Sequence, residues 1–332
     1  MIHTFQMKFP LVEKDIDVLE NTIDYSYKAV NEYIQKNYGE YFNNAFTVQV
    51  KRNSGNNYLS LVVDAVLLLK KADIRESDYY EIELRVKELL MILFSHTTFY
   101  SEHILTRIDY RYDLILPNKH MRELYFHLIT KHVERYRFQQ KYSGMKNESG
   151  KFEKYKTTIY HSSRAIVTTA YDKEAEREAK ECDIQDYEKD VVRFEVRLMY
   201  QHLYYKASER CPKPIPMKLA NYFIESRYYD YLRQYLIPIY PQGTYYKYSE
   251  VERMLQCTSL KSSDKALLKE FLLKTSSYSL STPKKHITPY KYKKALRLLK
   301  SLGINPVCIP KNYPKAPKQF ENPLNNLFAK FE

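Results

Sequence analysis

The chain has no tryptophan and only six glycines among its 332 residues. The phosphate-binding loops of nucleotide-driven motors and of dehydrogenases need glycines at fixed spacings. Neither GxxxxGK[ST] nor GxGxxG occurs in the sequence. The scarcity of glycine therefore argues against both of these enzyme classes.

Cysteine is also scarce. The four cysteines are Cys182, Cys211, Cys257 and Cys308, which lie too far apart for a CxxC pair or a zinc-ribbon spacing. We predict that they are reduced thiols of a cytoplasmic protein. The nine histidines form no HxH or HExxH pattern, so the sequence indicates no histidine-based metal site.

Long hydrophobic runs are missing as well. No run reaches the roughly 18 apolar residues of a membrane-spanning helix. The first residues, MIHTFQMKFPLVEKD, lack the apolar core of a signal peptide. We therefore expect a cytoplasmic location and no membrane partner.

The sequence is rich in positive charge and in tyrosine. Its net charge is +13, and it contains 34 tyrosines. A basic excess of this size favours a polyanionic partner, most often nucleic acid. Tyrosine suits both cores and stacking surfaces, although AT-rich codon usage is an alternative source of the excess.

Hydrophobic periodicity predicts the element order α-ββ-α-β-α-ββ-α-β, which is typical of an α+β domain with a mostly antiparallel sheet. We place this domain at residues 1–206, before the proline-rich bend at 211–216. Residues 217–310 are predicted to form a small helical domain, of winged-helix size. It contains the basic stretch KYKKALRLLK and would bind DNA or another subunit. Residues 311–332 are predicted to be an extended tail.

Two predicted strands carry charge on one face. In RIDYRYDL, alternation places Arg107, Asp109, Arg111 and Asp113 together. Asp109 and Asp113 are about 13 Å apart along an extended strand, so each would need a carboxylate from a neighbouring strand to hold a cation.

The second strand, VVRFEVRL, supplies such a carboxylate. Arg193, Glu195 and Arg197 share one of its faces. We expect the acidic side chains of the two strands to bind Mg²⁺ or Mn²⁺ and the arginines to bind DNA phosphates. The alternative is a cross-strand ladder of arginine–carboxylate pairs that only stabilises the sheet.

AYDKEAERE contains the candidate nucleophile. Tyr171 ends a predicted strand that opens into a helix, where backbone N–H groups favour phosphate, and Lys173 is close by. We predict that Tyr171 attacks a phosphodiester with the help of Lys173; Tyr160 is the second candidate, and Tyr187 the third. Ser162 and Arg164, in the preceding turn, are candidates for DNA contact, although a simple polar turn is the favoured interpretation of these residues.

The segments RIDYRYDL, IYHSSR…YDKEAERE and VVRFEVRL, in this order, resemble the rolling-circle replication initiators. The resemblance is to the replication-trans family of plasmid initiators and relaxases and to the filamentous-phage initiator. It covers Leu105 to Leu198, and LKSLGINPVCIP also resembles the end of phage-type members. His161 stands where the family pattern Y-x-G-S has glycine.

The resemblance implies a relaxase-like fold distantly related to the HUH endonucleases, with acidic residues replacing the histidine pair. It implies that Tyr171 nicks one strand at an origin, single-stranded or in a hairpin, and forms a 5′-phosphotyrosine link. Asp109, Asp113 and Glu195 match the family's acidic positions. A host helicase and a second copy of the chain are further expected partners.

Three alternatives remain at this stage. The first is a non-catalytic DNA-binding replication protein of the same fold. The second is a metal-dependent nuclease that uses water, and the third is a structural basic protein. Only the main hypothesis predicts a covalent protein–DNA adduct.

Overall fold

A computed structural model of the chain describes residues 1–24, 26–52, 56–132, 139–141, 144–146, 152–154 and 156–331. Within these residues the strands are β1 Ile2–Leu11, β2 Phe46–Lys51, β3 Asn57–Asp64, β4 Ile104–Ile115, β5 Gln139–Lys141, β6 Gly144–Lys146, β7 Phe152–Lys154, β8 Thr158–Ser162, β9 Ile166–Asp172, β10 Val191–Met199, β11 Tyr245–Tyr246 and β12 Gln319–Phe320.

The helices of the described residues fall between these strands and form most of the C-terminal part. They are α1 Glu13–Ile23, α2 Val30–Tyr38, α3 Ala65–Leu69, α4 Tyr79–Phe94, α5 Phe99–Glu102, α6 Lys119–Ile129, α7 Lys173–Ala179, α8 Tyr200–Ala207, α9 Leu219–Tyr222, α10 Glu225–Tyr235, α11 Tyr248–Gln256, α12 Ser262–Ser277, α13 Pro289–Ser301 and α14 Asn325–Ala329. None of them is long and apolar enough to cross a membrane.

The chain divides into two compact units. The first comprises Met1–Tyr112, Arg164–Val167 and Glu195–Leu232, and the second comprises Asp113–Ser163, Thr168–Phe194 and Arg233–Glu332. The strand order is β2-β3-β1-β4-β10 in the first unit and β4-β10-β9-β8-β5 in the second. The division cuts through β4, β9 and β10, so it differs from the predicted functional domains 1–206, 217–310 and 311–332, which stay predictions.

The sheet is antiparallel wherever its register is defined. β1 pairs antiparallel with both β3 and β4, β2 with β3, and β5 with β8. Helices and antiparallel strands occur along the same chain, which confirms the α+β class. A winged-helix arrangement of the C-terminal helices stays a prediction.

The N-terminal strand β1 was not predicted. Its apolar residues Phe5, Met7 and Phe9 alternate with polar ones and are fully buried. β1 lies between β3 and β4, so the sheet contains one more central strand than the predicted element order.

Two further predictions from polar composition, a loop at Gln140 to Lys154 and a turn at residues 53–56, fall partly outside the described residues. The stretch Gln140 to Lys154 was predicted to be a loop, but its described parts include the antiparallel pair β6–β7; the rest of it lies outside the described residues. Most of the predicted turn at residues 53–56 also lies outside them.

The C-terminal segment is folded into the second unit instead of being extended. β12 pairs with β11, and α14 follows it. Leu324, Leu327 and Phe328 are buried, so burial of these apolar side chains fixes a segment whose prolines suggested an extended tail.

The apolar face of β4 packs against α9 and α10 within the first unit. The Tyr110 hydroxyl donates a hydrogen bond to the backbone carbonyl of Tyr222 at 2.7 Å, and its ring stacks on Tyr231 at 5.5 Å. Tyr110 is fully buried. This contact leaves the opposite, charged face of β4 for other side chains, as the alternation predicted.

We predict that Tyr110→Phe lowers the free energy of unfolding by about 1–3 kcal/mol, because it leaves the buried Tyr222 carbonyl without its donor. Tyr80→Phe is the matched control, since Tyr80 is 79% exposed. Urea unfolding followed by circular dichroism measures both variants. Equal stabilities of the two would contradict the contribution of this hydrogen bond.

Candidate functional site

Asp109 lies at the centre of the charged face in the first unit. Its carboxylate accepts from Arg107 Nε at 2.8 Å, from Arg107 Nη2, and from Arg197 Nε at 3.0 Å. Only 1% of the Asp109 side chain is exposed, against about a quarter of each arginine. Two partly accessible guanidinium groups therefore surround one buried carboxylate.

The same network continues to Glu195. Arg197 Nη2 lies 3.7 Å from Glu195 Oε2, and His3 Nδ1 lies 3.2 Å from Glu195 Oε1. The other ring nitrogen of His3 is 3.8 Å from a carboxylate oxygen of Asp64. Glu195 is thus linked to Asp109 through Arg197, as the predicted placement on neighbouring strands requires.

Asp113 and Arg193 form the corresponding pair in the second unit. Arg193 Nε and Nη2 donate to the two carboxylate oxygens of Asp113 at 2.8 and 2.9 Å. Because residue 193 faces 113 and residue 197 faces 109, β4 and β10 run antiparallel. The charged residues thus form the cross-strand ladder that was the alternative interpretation of these two strands.

The fit of a divalent metal to the predicted ligands is poor in this arrangement. Both oxygens of Asp109 and both of Asp113 accept hydrogen bonds from arginine. Among the described residues, no group of three histidine, cysteine, aspartate or glutamate side chains is arranged to hold a metal ion. The predicted Mg²⁺ or Mn²⁺ therefore stays a prediction, and no chemical step below depends on it.

Tyr171 lies where β9 turns into α7, as predicted. Asp172 caps the helix, because its side chain accepts from the backbone N–H groups of Glu174 and Ala175. The Lys173 ammonium is 5.9 Å from the centroid of the Tyr171 ring. Both side chains are buried, so a positive charge is held near the aromatic ring of the candidate nucleophile.

Carboxylates compensate the buried ammonium of Lys173. Its Nζ lies 2.7 Å from Glu176 and 3.4 Å from Glu188. Burial alone would raise the pKa of Glu188, but its hydrogen bonds with Arg177 and its position near Lys173 lower it below the ordinary value. Glu188 is therefore held ionised, which fixes Lys173 beside the turn.

Arg122 is a residue of this turn that the sequence did not single out. It is 2% exposed and contacts three carboxylates, those of Asp172 at 2.9 Å, Asp190 at 2.5 Å, and Glu174. Burial alone lowers the pKa of Arg122, but these carboxylates raise it above its ordinary value. The guanidinium thus joins the start of α7 to α6 and to the residue before β10.

The other residues predicted to contact DNA differ in how exposed their side chains are. Arg111 is buried on the charged face of β4, Ser162 is half-buried at the end of β8, and Arg164 is exposed in the turn that follows. Tyr160, the second candidate nucleophile, is half-buried on β8. Their roles in binding DNA stay predictions.

His161 is enclosed on the opposite side of β8 from Tyr160. It is 4% exposed, and among the described residues neither of its ring nitrogens has a hydrogen-bond partner. Burial lowers the pKa of His161 to about 4. The ring is therefore neutral at physiological pH and acts as a core side chain.

We predict that stability falls as the pH drops from about 6.5 towards 4. In this range the unfolded chain binds a proton at His161 that the folded chain does not. This difference lowers the free energy of unfolding by roughly 3 kcal/mol near pH 4. His161→Leu should remove this part of the pH dependence, whereas replacing the exposed His286 with leucine should leave it unchanged. Thermal unfolding of the wild type and the two variants across this pH range tests the prediction. An equal change of Tm with pH in all three proteins would refute it.

The sequence offered one unused signal for the missed residues. His3 belongs to the alternating segment of β1, so recognising that strand would have placed it on the sheet. Arg122, in contrast, lies in an ordinary amphipathic helix, and its three partners come from distant parts of the chain.

Comparisons with known proteins add little. No protein-family model and no curated protein matches the chain. One solved structure to which it is similar is described as a rolling circle replication initiator protein from Geobacillus stearothermophilus. The match has 13% identity, covers 94% of this chain and 98% of that one, and has a TM-score of 0.32. The identity and the TM-score are too low to establish a shared fold or to transfer a function.

Proposed function

We propose that the chain is a rolling-circle DNA replication initiator that nicks and rejoins one strand through a tyrosine. The observation that carries the proposal is the geometry of the turn that holds Tyr171. A tyrosine with a buried lysine beside it precedes a capped helix, and Arg122 fixes that turn through three carboxylates. The order of the three motifs supports the same function.

In the proposed reaction the Tyr171 oxygen attacks the scissile phosphorus. A phosphorus–oxygen bond to the tyrosine forms as the bond to the 3′ oxygen breaks. The phenolic proton is lost to solvent, and the departing 3′ oxygen takes up a proton. A 5′-phosphotyrosine and a free 3′-OH result, and the reverse attack by a 3′-OH rejoins the strand. A phenol with an ordinary pKa near 10 is a weak nucleophile, and in this proposal the Lys173 ammonium, 5.9 Å from the centroid of the Tyr171 ring, would help to stabilise the charge of the transition state.

The arginines of the charged face would bind the phosphates. Arg107 and Arg197 are partly exposed and already form charge-assisted hydrogen bonds with carboxylates. Phosphate and carboxylate are both bound by the planar guanidinium group. A phosphate of the DNA backbone would therefore bind one of these guanidinium groups, while the other stays hydrogen-bonded to Asp109. DNA contacts of Arg111, Arg193, Ser162 and Arg164 belong to the same proposal.

We predict that the protein forms a covalent adduct with labelled single-stranded or hairpin origin DNA in the presence of Mn²⁺. A denaturing gel should show a slow-migrating band that Tyr171→Phe abolishes, because this change removes only the attacking oxygen. Tyr160→Phe is the matched control and should keep the band.

Each outcome of this gel has a distinct meaning. Loss of the adduct only with Tyr160→Phe would keep the function and move the nucleophile. Cleavage without any adduct would indicate hydrolysis by water. DNA binding without cleavage or adduct would overturn the catalytic proposal.

Metal binding is tested separately from activity. If Glu195 and Asp109 or Asp113 bind Mn²⁺, saturation at about 100 times the Kd should add roughly 2.7 kcal/mol to the stability. Because arginines occupy the oxygens of Asp109 and Asp113, we expect no rise in Tm with Mn²⁺. A rise that Glu195→Gln reduces and that EDTA reverses, with the exposed Glu178→Gln as the control, would instead support the predicted metal ligands. No rise in Tm in the wild type would favour the arginine ladder alone.

A non-catalytic DNA-binding protein of the same fold is the second candidate. The pairing of Asp109 and Asp113 with arginine at both oxygens favours it, since a ladder of this kind needs no metal to be stable. A host helicase and a second copy of the chain are partners that either candidate allows.

A further inference from the structure

Helix α8 carries a group of exposed tyrosines in the first unit. Tyr200, Tyr204 and Tyr205 are 47%, 60% and 50% exposed. The rings of Tyr200 and Tyr204 stack on each other, with their centroids 5.8 Å apart and their planes 26° from parallel. Large aromatic side chains usually bury their rings, so three exposed ones on two turns of one helix need an explanation.

The opposite side of α8 is anchored in the core. His202 and Leu203 are buried, and the His202 Nε2 atom is 3.0 Å from the hydroxyl of Tyr231. This anchoring fixes the helix so that the three tyrosines face outward. The exposed rings are therefore displayed on a rigid element, which lowers the entropic cost of binding a partner.

The chain segment that contains the tyrosines is basic in sequence. From Arg197 to Lys218 the chain contains five basic residues, with Glu209 as the sole acid. The basic residues are Arg197, Lys206, Arg210, Lys213 and Lys218. Arg197 is also the residue that joins Glu195 to Asp109 at the charged face. The aromatic surface thus begins three residues after the charged face on the same chain segment.

We propose that Tyr200, Tyr204 and Tyr205 form a stacking platform for the bases of single-stranded DNA. This proposal rests on the proposed function and adds to it the surface that holds the strand next to the charged face. Stacked aromatic side chains among basic residues bind single strands with little sequence preference, because every base has a flat face. The exposed Arg210 and Lys213 would contact the phosphates between the stacked bases.

The test measures the affinity of the full chain for a fluorescein-labelled oligothymidylate by fluorescence anisotropy. Tyr200→Ala and Tyr204→Ala should each weaken binding about five- to a hundredfold, the range for one lost stacking contact. Tyr200→Phe and Tyr204→Phe should bind as the wild type does, because they keep the ring. Tyr80→Ala is the matched control: Tyr80 is also exposed, on α4, but near Glu76, Asp78 and Glu81.

Salt dependence separates stacking from charge. Tyr204→Ala should leave the slope of log affinity against log salt unchanged, whereas Arg210→Ala with Lys213→Ala should make the slope shallower. Circular dichroism confirms that the variants fold. Unchanged affinity in both tyrosine-to-alanine variants would overturn the platform, as would a preference of these tyrosines for duplex DNA or for a second copy of the chain.

The adduct gel distinguishes this failure from failure of the proposed function. A wild type that forms the adduct, with alanine variants that bind the oligonucleotide normally, would refute the platform alone. A wild type that neither binds single strands nor forms an adduct would refute both.

Discussion

Burial of charge on the central strands is the constraint on which the rest of the structure depends. Asp109 and Arg193 are each only 1% exposed, and each has an oppositely charged partner on the neighbouring strand. Removing one member of such a pair typically costs about 3–5 kcal/mol, because the other charge is left buried alone. A shift of β10 by one residue would turn its arginines to the apolar side of the sheet. The ion pairs therefore fix the register of β10 against β4, and with it the position of Glu195.

The same principle operates at the turn that carries Tyr171. Arg122 cannot be buried without carboxylates, and the three that surround it come from α7, its cap and the residue before β10. Lys173 needs Glu176 and Glu188 for the same reason. Interlocked buried charges therefore fix this turn where the backbone leaves the sheet, and the proposed attack by Tyr171 would need such a fixed position.

Much of this arrangement was predictable from alternation. The faces of β4 and β10, the capping of α7 by Asp172 and the basic helix α13 all follow from local patterns. The choice of partners did not follow, because a carboxylate on a strand can bind a metal or an arginine, and only the strand register decides which. The packing of residues 311–332 depends on distant partners in the same way, so the apolar residues there did not reveal their burial, whereas the alternation in β1 was a local signal that went unused.

Tyrosine shows why composition alone could not assign a role to this residue type. Tyr110 and Tyr245 are buried and direct their hydroxyls to a backbone carbonyl and to His132, so they act as core side chains with one polar contact. Tyr204 is exposed on a helix whose other face is anchored. Tyr171 lies between these extremes, buried but beside a cation. The environment of each ring, set by the charge pairs and the helix faces around it, decides whether it packs in the core or is available for the stacking proposed for Tyr204 and the attack proposed for Tyr171.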